Sequence, residues 1–167
     1  MTRIGLGVQA LEPTSIIFQL YKGGFCSNDN TYANYFTTEV VIGFENILFK
    51  NEKTYKIGIW QNGGFQGGIN VYYPLYTLPA PSFSAQLHIG AGLQGGSRKY
   101  EEQGQSKIDN ILGGNLLLRF SLTGRGIEIK DRLWFISYFI DTKYHRQFGE
   151  DFFYFRPSVG LVFRKVR

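Results

Sequence analysis

FSAQLHIGAGL, residues 83–93, decides how the rest of the chain reads. Phe83, Ala85, Leu87, Ile89, Ala91 and Leu93 share one face of an extended strand, and Ser84, Gln86, His88, Gly90 and Gly92 share the other. One face is oily; the other is small or polar and almost uncharged. A tilted strand of about 9–11 residues crosses the hydrocarbon of a bilayer, and this stretch has that length.

The same alternation recurs on both sides. In residues 3–12, RIGLGVQALE, the residues Ile4, Leu6, Val8 and Ala10 oppose Arg3, Gly5, Gly7 and Gln9. Pro13 blocks continuation, and TSIIFQLYK, residues 14–22, starts at once as the second arm of a tight hairpin. Over residues 35–44, Phe36, Thr38, Val40, Ile42 and Phe44 are expected outward, with Tyr35, Thr37, Glu39, Val41 and Gly43 inward. Residues 53–61 supply another strand through Tyr55, Ile57 and Ile59. Beyond the opening stretch, Leu116, Leu118, Phe120 and Leu122 oppose Asn115, Leu117, Arg119, Ser121 and Thr123. Both faces of LWFISYFIDTK, residues 133–143, are bulky, and Ser137 and Asp141 turn its odd positions inward. The last strand, FFYFRPSVGLVF, sets Phe153, Phe155, Val159, Leu161 and Phe163 against Tyr154, Arg156, Ser158 and Gly160.

Residues 63–82 carry a proline inside an alternating run, so they read either as a weak strand or as an aromatic-rich connection. Counting them gives nine candidate strands and omitting them gives eight. Closed bacterial barrels use even numbers, so eight spanning strands are expected, or ten if an upstream strand is missing. Residues 1–167 then form a single all-β domain, a closed antiparallel up-and-down barrel.

Composition agrees. Twenty-one glycines, 17% aromatics and a mean hydropathy of −0.16 suit many glycine-punctuated strands. The longest apolar runs, such as Leu116 to Leu118, fall far short of the roughly 20 residues of a spanning helix, which excludes a helical membrane protein. The net charge of +5 sits mostly between the alternating segments with both signs mixed, and no basic stripe interleaves with stacking aromatics. Nucleic acid is therefore not an expected partner. Cys26 stands alone, with neither a disulfide mate nor a metal-ligand spacing, and no cofactor motif is present.

Two closed barrels produce such alternation: one apolar outside and lying in a membrane, the other apolar inside, soluble and lipocalin-like. A soluble barrel fills its polar face with Lys, Glu, Asp and Thr. Here that face carries Gly5, Gly7, Gln9, Gln86, His88, Gly90, Gly92, Asn115, Ser121, Ser158 and Gly160, with isolated Arg3, Glu39, Arg119 and Arg156. Such residues fit a narrow lumen filled by side chains, and the membrane barrel is the reading they favour.

On this pattern the chain resembles the small outer-membrane β-barrel proteins of the OmpA/OmpX type. In IGLGVQALEPTSIIFQLYKG and the closing PSVGLVF it also resembles the small glycine-rich porin-like barrels of Gram-negative envelopes. The resemblance implies an outer-membrane location, an export signal already removed, a lipid bilayer with lipopolysaccharide as surroundings, and envelope protein partners reached through loops. Such barrels commonly end on an aromatic residue; Phe163 fits, but Arg164 to Arg167 follow it, a departure.

Some barrels of this type are lipid A-modifying acyl hydrolases or transferases, whose Ser stands two positions after a His. Here those positions are Gly90 after His88 and Gln147 after His145, so the match fails and no catalytic residue is assigned. Arg3, Glu39, Gln86, His88, Arg119 and Arg156 are expected as a lumen network, with a narrow anion-preferring pore as the sharper alternative. Trp60, Tyr72, Tyr73, Trp134, Phe153 and Phe155 are expected as interfacial aromatics. The expected function is a non-enzymatic barrel with a structural, adhesive or envelope-partner role, through loops at residues 23–34, 63–81 and 95–107. The alternatives are a lipid-modifying barrel enzyme and a soluble lipid-binding barrel.

Overall fold

Period-two alternation becomes nine strands in the computed structural model, which describes residues 3–11, 14–25, 32–44, 65–102, 105–130, 132–148 and 153–165. Within these, only the backbone is described at 11, 14, 44, 98–102, 106–109, 111, 145, 147 and 153–157. The strands are β1 Arg3–Leu11, β2 Thr14–Phe25, β3 Tyr32–Phe44, β4 Phe65–Pro79, β5 Phe83–Glu102, β6 Gln105–Gly124, β7 Ile127–Ile129, β8 Arg132–Gln147 and β9 Phe153–Lys165. Each pairs antiparallel with its neighbour in sequence order, except that β8 pairs with both β6 and β7, and β1 closes the ring on β9. β7 thus continues the sixth stave past a break at Arg125 and Gly126, and the barrel has eight staves. Closure leaves no exposed sheet edge around the wall.

Burial follows the alternation. On the outside, Phe18 is 48% exposed, Ile69 55%, Leu118 49% and Ile140 58%, while Gln19, Asn70, Arg119 and Asp141 beside them are 0–3% exposed. On β1, β5, β6 and β9, at the positions whose side chains are described, the observed faces are those read from the sequence, and the odd positions of β8 from 135 to 143 are all buried.

Two bulges account for the departures. The β2–β3 register shifts between Lys22 and Gly23, which pair with Phe36 and Asn34 and leave Tyr35 as the extra residue. Tyr35 therefore points outward, 58% exposed, where strict alternation places it inside. The second shift lies between Pro74 and Tyr76 opposite His88 and Leu87. A proline at a bulge forfeits no ladder bond, so Phe65–Pro79 spans the wall as the fourth stave, and the reading of residues 63–82 as a connection is corrected. The strand expected over residues 53–61 lies outside the described residues.

Residues 95–107 are also corrected, from loop to ribbon. β5 runs on to Glu102 and returns as β6 from Gln105 in continuous register. The other two loop candidates shrink likewise: 23–25 and 32–34 are strand, and so is 65–79.

Inward glycines let the staves approach. A Cβ on Gly7 would stand 3.0 Å from the Val162 Cα and against the Leu161 carbonyl oxygen, across the β1–β9 seam that closes the barrel. Gly7→Val is expected to lower the unfolding free energy by ~1–3 kcal/mol through overpacking, read as an earlier midpoint in urea titration of the refolded protein.

Candidate functional site

The described lumen has three layers. At the end where β1 starts and β9 finishes, Tyr21, Tyr32 and Phe135 pack together with Phe25 and Leu133. Tyr21 and Tyr32 meet edge to face at 6.0 Å between ring centroids, and Arg3 donates from Nη1 to the Tyr32 hydroxyl at 2.9 Å. Bulky rings here follow from the sequence: β2 keeps Tyr21 on its inward phase, and the shifted phase at the start of β3 turns Tyr32 in.

The middle layer is ionic. Arg119 of β6 donates from Nε to Asp141 Oδ1 at 2.6 Å and from Nη2 to Asp141 Oδ2 at 2.7 Å. Its Nη1 reaches Glu39 Oε2 at 2.8 Å and its Nη2 reaches the Tyr72 hydroxyl oxygen at 2.9 Å. Tyr72 in turn donates to Asp141 Oδ2 at 3.2 Å. The guanidinium lies 4.0 Å from the ring centroids of both Tyr72 and Phe139, so aromatic faces close it in while carboxylates hold its edge. Gln19 joins this cluster to the next: its Nε2 donates to Glu39 at 2.8 Å, and its Oε1 accepts from Arg164 at 3.1 and 3.2 Å. Arg164 also donates to Ser137, which shares a hydrogen bond with Thr123. One connected network of side chains therefore crosses the bore from β9 to β8 by way of β2, β3 and β6.

Toward the other end the lining turns to amides. Asn115 donates to Gln94 at 3.3 Å, and Gln66, Asn70, Gln94, Asn115 and the buried Lys143 border a small polar pocket. Gly92 makes room there, since a Cβ at that position would collide with the Asn70 side chain.

Of the residues singled out from the sequence, Glu39 and Arg119 are brought into direct contact. Gln86 is buried but serves the wall, donating to the Asn34 carbonyl at 2.8 Å and accepting from its N–H at 2.9 Å. His88 is buried opposite Arg119 in register, with neither ring nitrogen bonded to a hydroxyl or carboxylate among the described residues. Arg3 sits with Tyr32, bonded to its hydroxyl and over its ring. The side chains of Arg156, Phe153 and Phe155 and the whole of Trp60 lie outside the described residues. Tyr73 faces outward and Trp134 is half-buried. Tyr72, expected among the interfacial aromatics, instead points inward and is 1% exposed, because the fourth stave spans the wall and alternation puts Asn70 and Tyr72 on its lumen face.

Asp141, Tyr72, Lys143 and Arg164 complete the lumen set. Arg164 was legible as the next inward position after Phe163, and β9 does run past that aromatic to Lys165. Among the described residues no group of three or more His, Cys, Asp or Glu side chains is placed to hold a metal ion.

No protein-family description and no curated protein matches the chain. Among solved structures it is similar to the crystal structure of the N-terminal β-barrel domain of Pseudomonas aeruginosa OprF. That match has 10% sequence identity and a TM-score of 0.50, and covers 98% of this chain and 99% of that one. At that identity the likeness is one of fold: an eight-stave antiparallel barrel.

Proposed function

We propose that the chain is an integral outer-membrane β-barrel without enzymatic activity, its lumen plugged by the Arg119 network and its interactions made by the structures above one rim. The observation that carries this reading is the inversion of the wall. Large apolar side chains cover the outside of every stave, while two carboxylates, two guanidiniums and an ammonium are buried inside. In water that arrangement exposes a continuous apolar band far beyond the few hundred Å² a soluble monomer tolerates. In a bilayer it is the expected partition.

The plug rests on the same geometry. Eight staves enclose little more than the space their inward side chains fill, and the Arg119 cluster spans the bore with its partners at hydrogen-bond distance. A non-enzymatic role is supported by the two histidines: His88 activates no hydroxyl among the described residues, and neither His88 nor His145 has a serine two positions on.

Orientation follows from the connections. Arg3, Phe25, Tyr32, Pro79, Phe83, Arg132 and Lys165 stand at one end; Leu11, Thr14, Phe44, Phe65, Gln147, Phe153 and the tall β5–β6 ribbon stand at the other, so the chain makes its longest connection, from 44 to 65, on the ribbon side. Bacterial barrels keep short turns in the periplasm and their longer loops outside, so the ribbon end is assigned to the cell exterior, facing lipopolysaccharide and any envelope partner. The test is to refold the protein with phospholipid vesicles and float them on a density gradient. It is expected to float with the lipid after carbonate washing and to migrate differently on gels before and after boiling. Recovery in the soluble fraction without detergent, with binding of a fluorescent fatty acid, would instead establish a soluble lipid-binding barrel.

A further inference from the structure

Among the described residues, the β5–β6 ribbon runs on above the wall beyond the last pairs it makes with β4 and β8. β5 leaves β4 after Gly96, which pairs with Gln66, and β6 pairs with β8 from Gly113, opposite Gln147, with one further bond from the Phe148 N–H to the Leu112 carbonyl oxygen at 2.9 Å. Between those points, residues 97–102 and 105–110 pair only with each other among the described residues. Among the described residues, each outer edge of the ribbon then presents a row of backbone donors and acceptors to which another strand can bond.

The β5 edge carries a distinctive order of charge. Arg98, Lys99, Tyr100, Glu101 and Glu102 read as two cations, an aromatic and two carboxylates, so the sequence reversed is the sequence with every charge inverted. A second copy laid antiparallel about Tyr100 sets Arg98 against Glu102 and Lys99 against Glu101, twice over. A parallel copy in register sets like against like, which is destabilising. The backbone agrees with that centre. Glu102 and Gln105 are partners with two residues between them; the pair that flanks a two-residue hairpin connection is the hydrogen-bonded one, and alternation from it turns the peptide groups of Lys99 and Glu101 away from β6, where a partner strand can bond them. The β6 edge offers less, with only Lys107 and Asp109 flanking Ile108.

We propose that the outer edge of β5 at residues 98–102 is a self-recognition strand, pairing antiparallel with the same strand of a second copy about a two-fold axis at Tyr100. This contact is isologous and closes at two copies. Because the axis lies across the strands, the two barrels sit at opposite ends of the shared ribbon, tip to tip. On the orientation proposed above, on which this last step rests, the copies belong to facing membranes and the contact is adhesive.

The experiment uses the purified full chain in detergent, so its outcome does not depend on membrane insertion, which flotation tests separately. In a Cys26→Ser background, Tyr100→Cys is oxidised with copper phenanthroline and followed on non-reducing gels. Disulfide-linked dimer is expected to form roughly tenfold faster than for Ile108→Cys on the other edge, a factor worth about 1.4 kcal/mol. On the Tyr100→Cys background, R98E/K99E alone and E101K/E102K alone are each expected to lose that advantage. An equimolar mixture of the two is expected to regain it as the mixed dimer. Equal rates for the two edges, charge-reversed variants that dimerise like the parent, or a mixture that stays monomeric would overturn the proposal.

Discussion

Arg119→Leu is expected to cost ~3–5 kcal/mol of folding stability, the range for removing one partner from a buried ion pair. The substitution deletes both short bonds to Asp141, the pair to Glu39 and the bond to the Tyr72 hydroxyl, and leaves two carboxylates that are each 0% exposed facing one another. Leucine occupies part of the volume between Tyr72 and Phe139, so most of the loss is electrostatic. The companion variant R119L/E39Q/D141N removes the charges together and is expected to recover much of the loss, since replacing a whole buried ionic group is often near neutral. Urea unfolding in vesicles, followed by tryptophan fluorescence and by the folded band on unboiled gels, measures both. If Arg119→Leu unfolds at the parent's midpoint, the network does not hold the lumen together.

Leu118→Arg probes the other side of the same stave, one residue away. Leu118 pairs with Ile89 on one side and Thr142 on the other, in the middle of the wall, and its side chain is about half exposed. With acyl chains outside, an arginine near the bilayer midplane costs ~2–4 kcal/mol, and the variant is expected to refold poorly into vesicles and to lose the heat-dependent gel shift. With water outside, the same change would leave stability within about 0.5 kcal/mol, as for an ordinary surface position, and would raise solubility. The two environments give effects that differ by several-fold, so a neutral Leu118→Arg removes the membrane reading outright.

Strand faces were legible because a barrel wall is one residue thick: each residue goes in or out, and chemistry separates the two sets at Leu118 and Arg119 as it does at Leu87 and Gln86. Legibility failed where the count of two slipped. Tyr35 went outward because a bulge inserts one residue opposite Lys22 and Gly23, and no residue type there announces it. The fourth stave was obscured by Pro74, whose bulge lies opposite His88 on β5. With that stave discounted, Tyr72 reads as an interfacial ring, although Ile69, Val71 and Tyr73 on the outside imply Asn70 and Tyr72 within.

The sequence by itself determined the fold class, the side of the wall on which each regular residue stands, and the presence of buried charge of both signs, all consequences of the strand's two-residue period. Only the tertiary structure decided which of those charges meet. Arg119 and Glu39 are 80 positions apart and lie on staves that do not neighbour each other. Their contact is set by how each pair of staves slides along its hydrogen bonds as the sheet tilts and closes. That stagger is a property of the closed ring, accumulated over every register and both bulges, and no single stretch of the chain contains it.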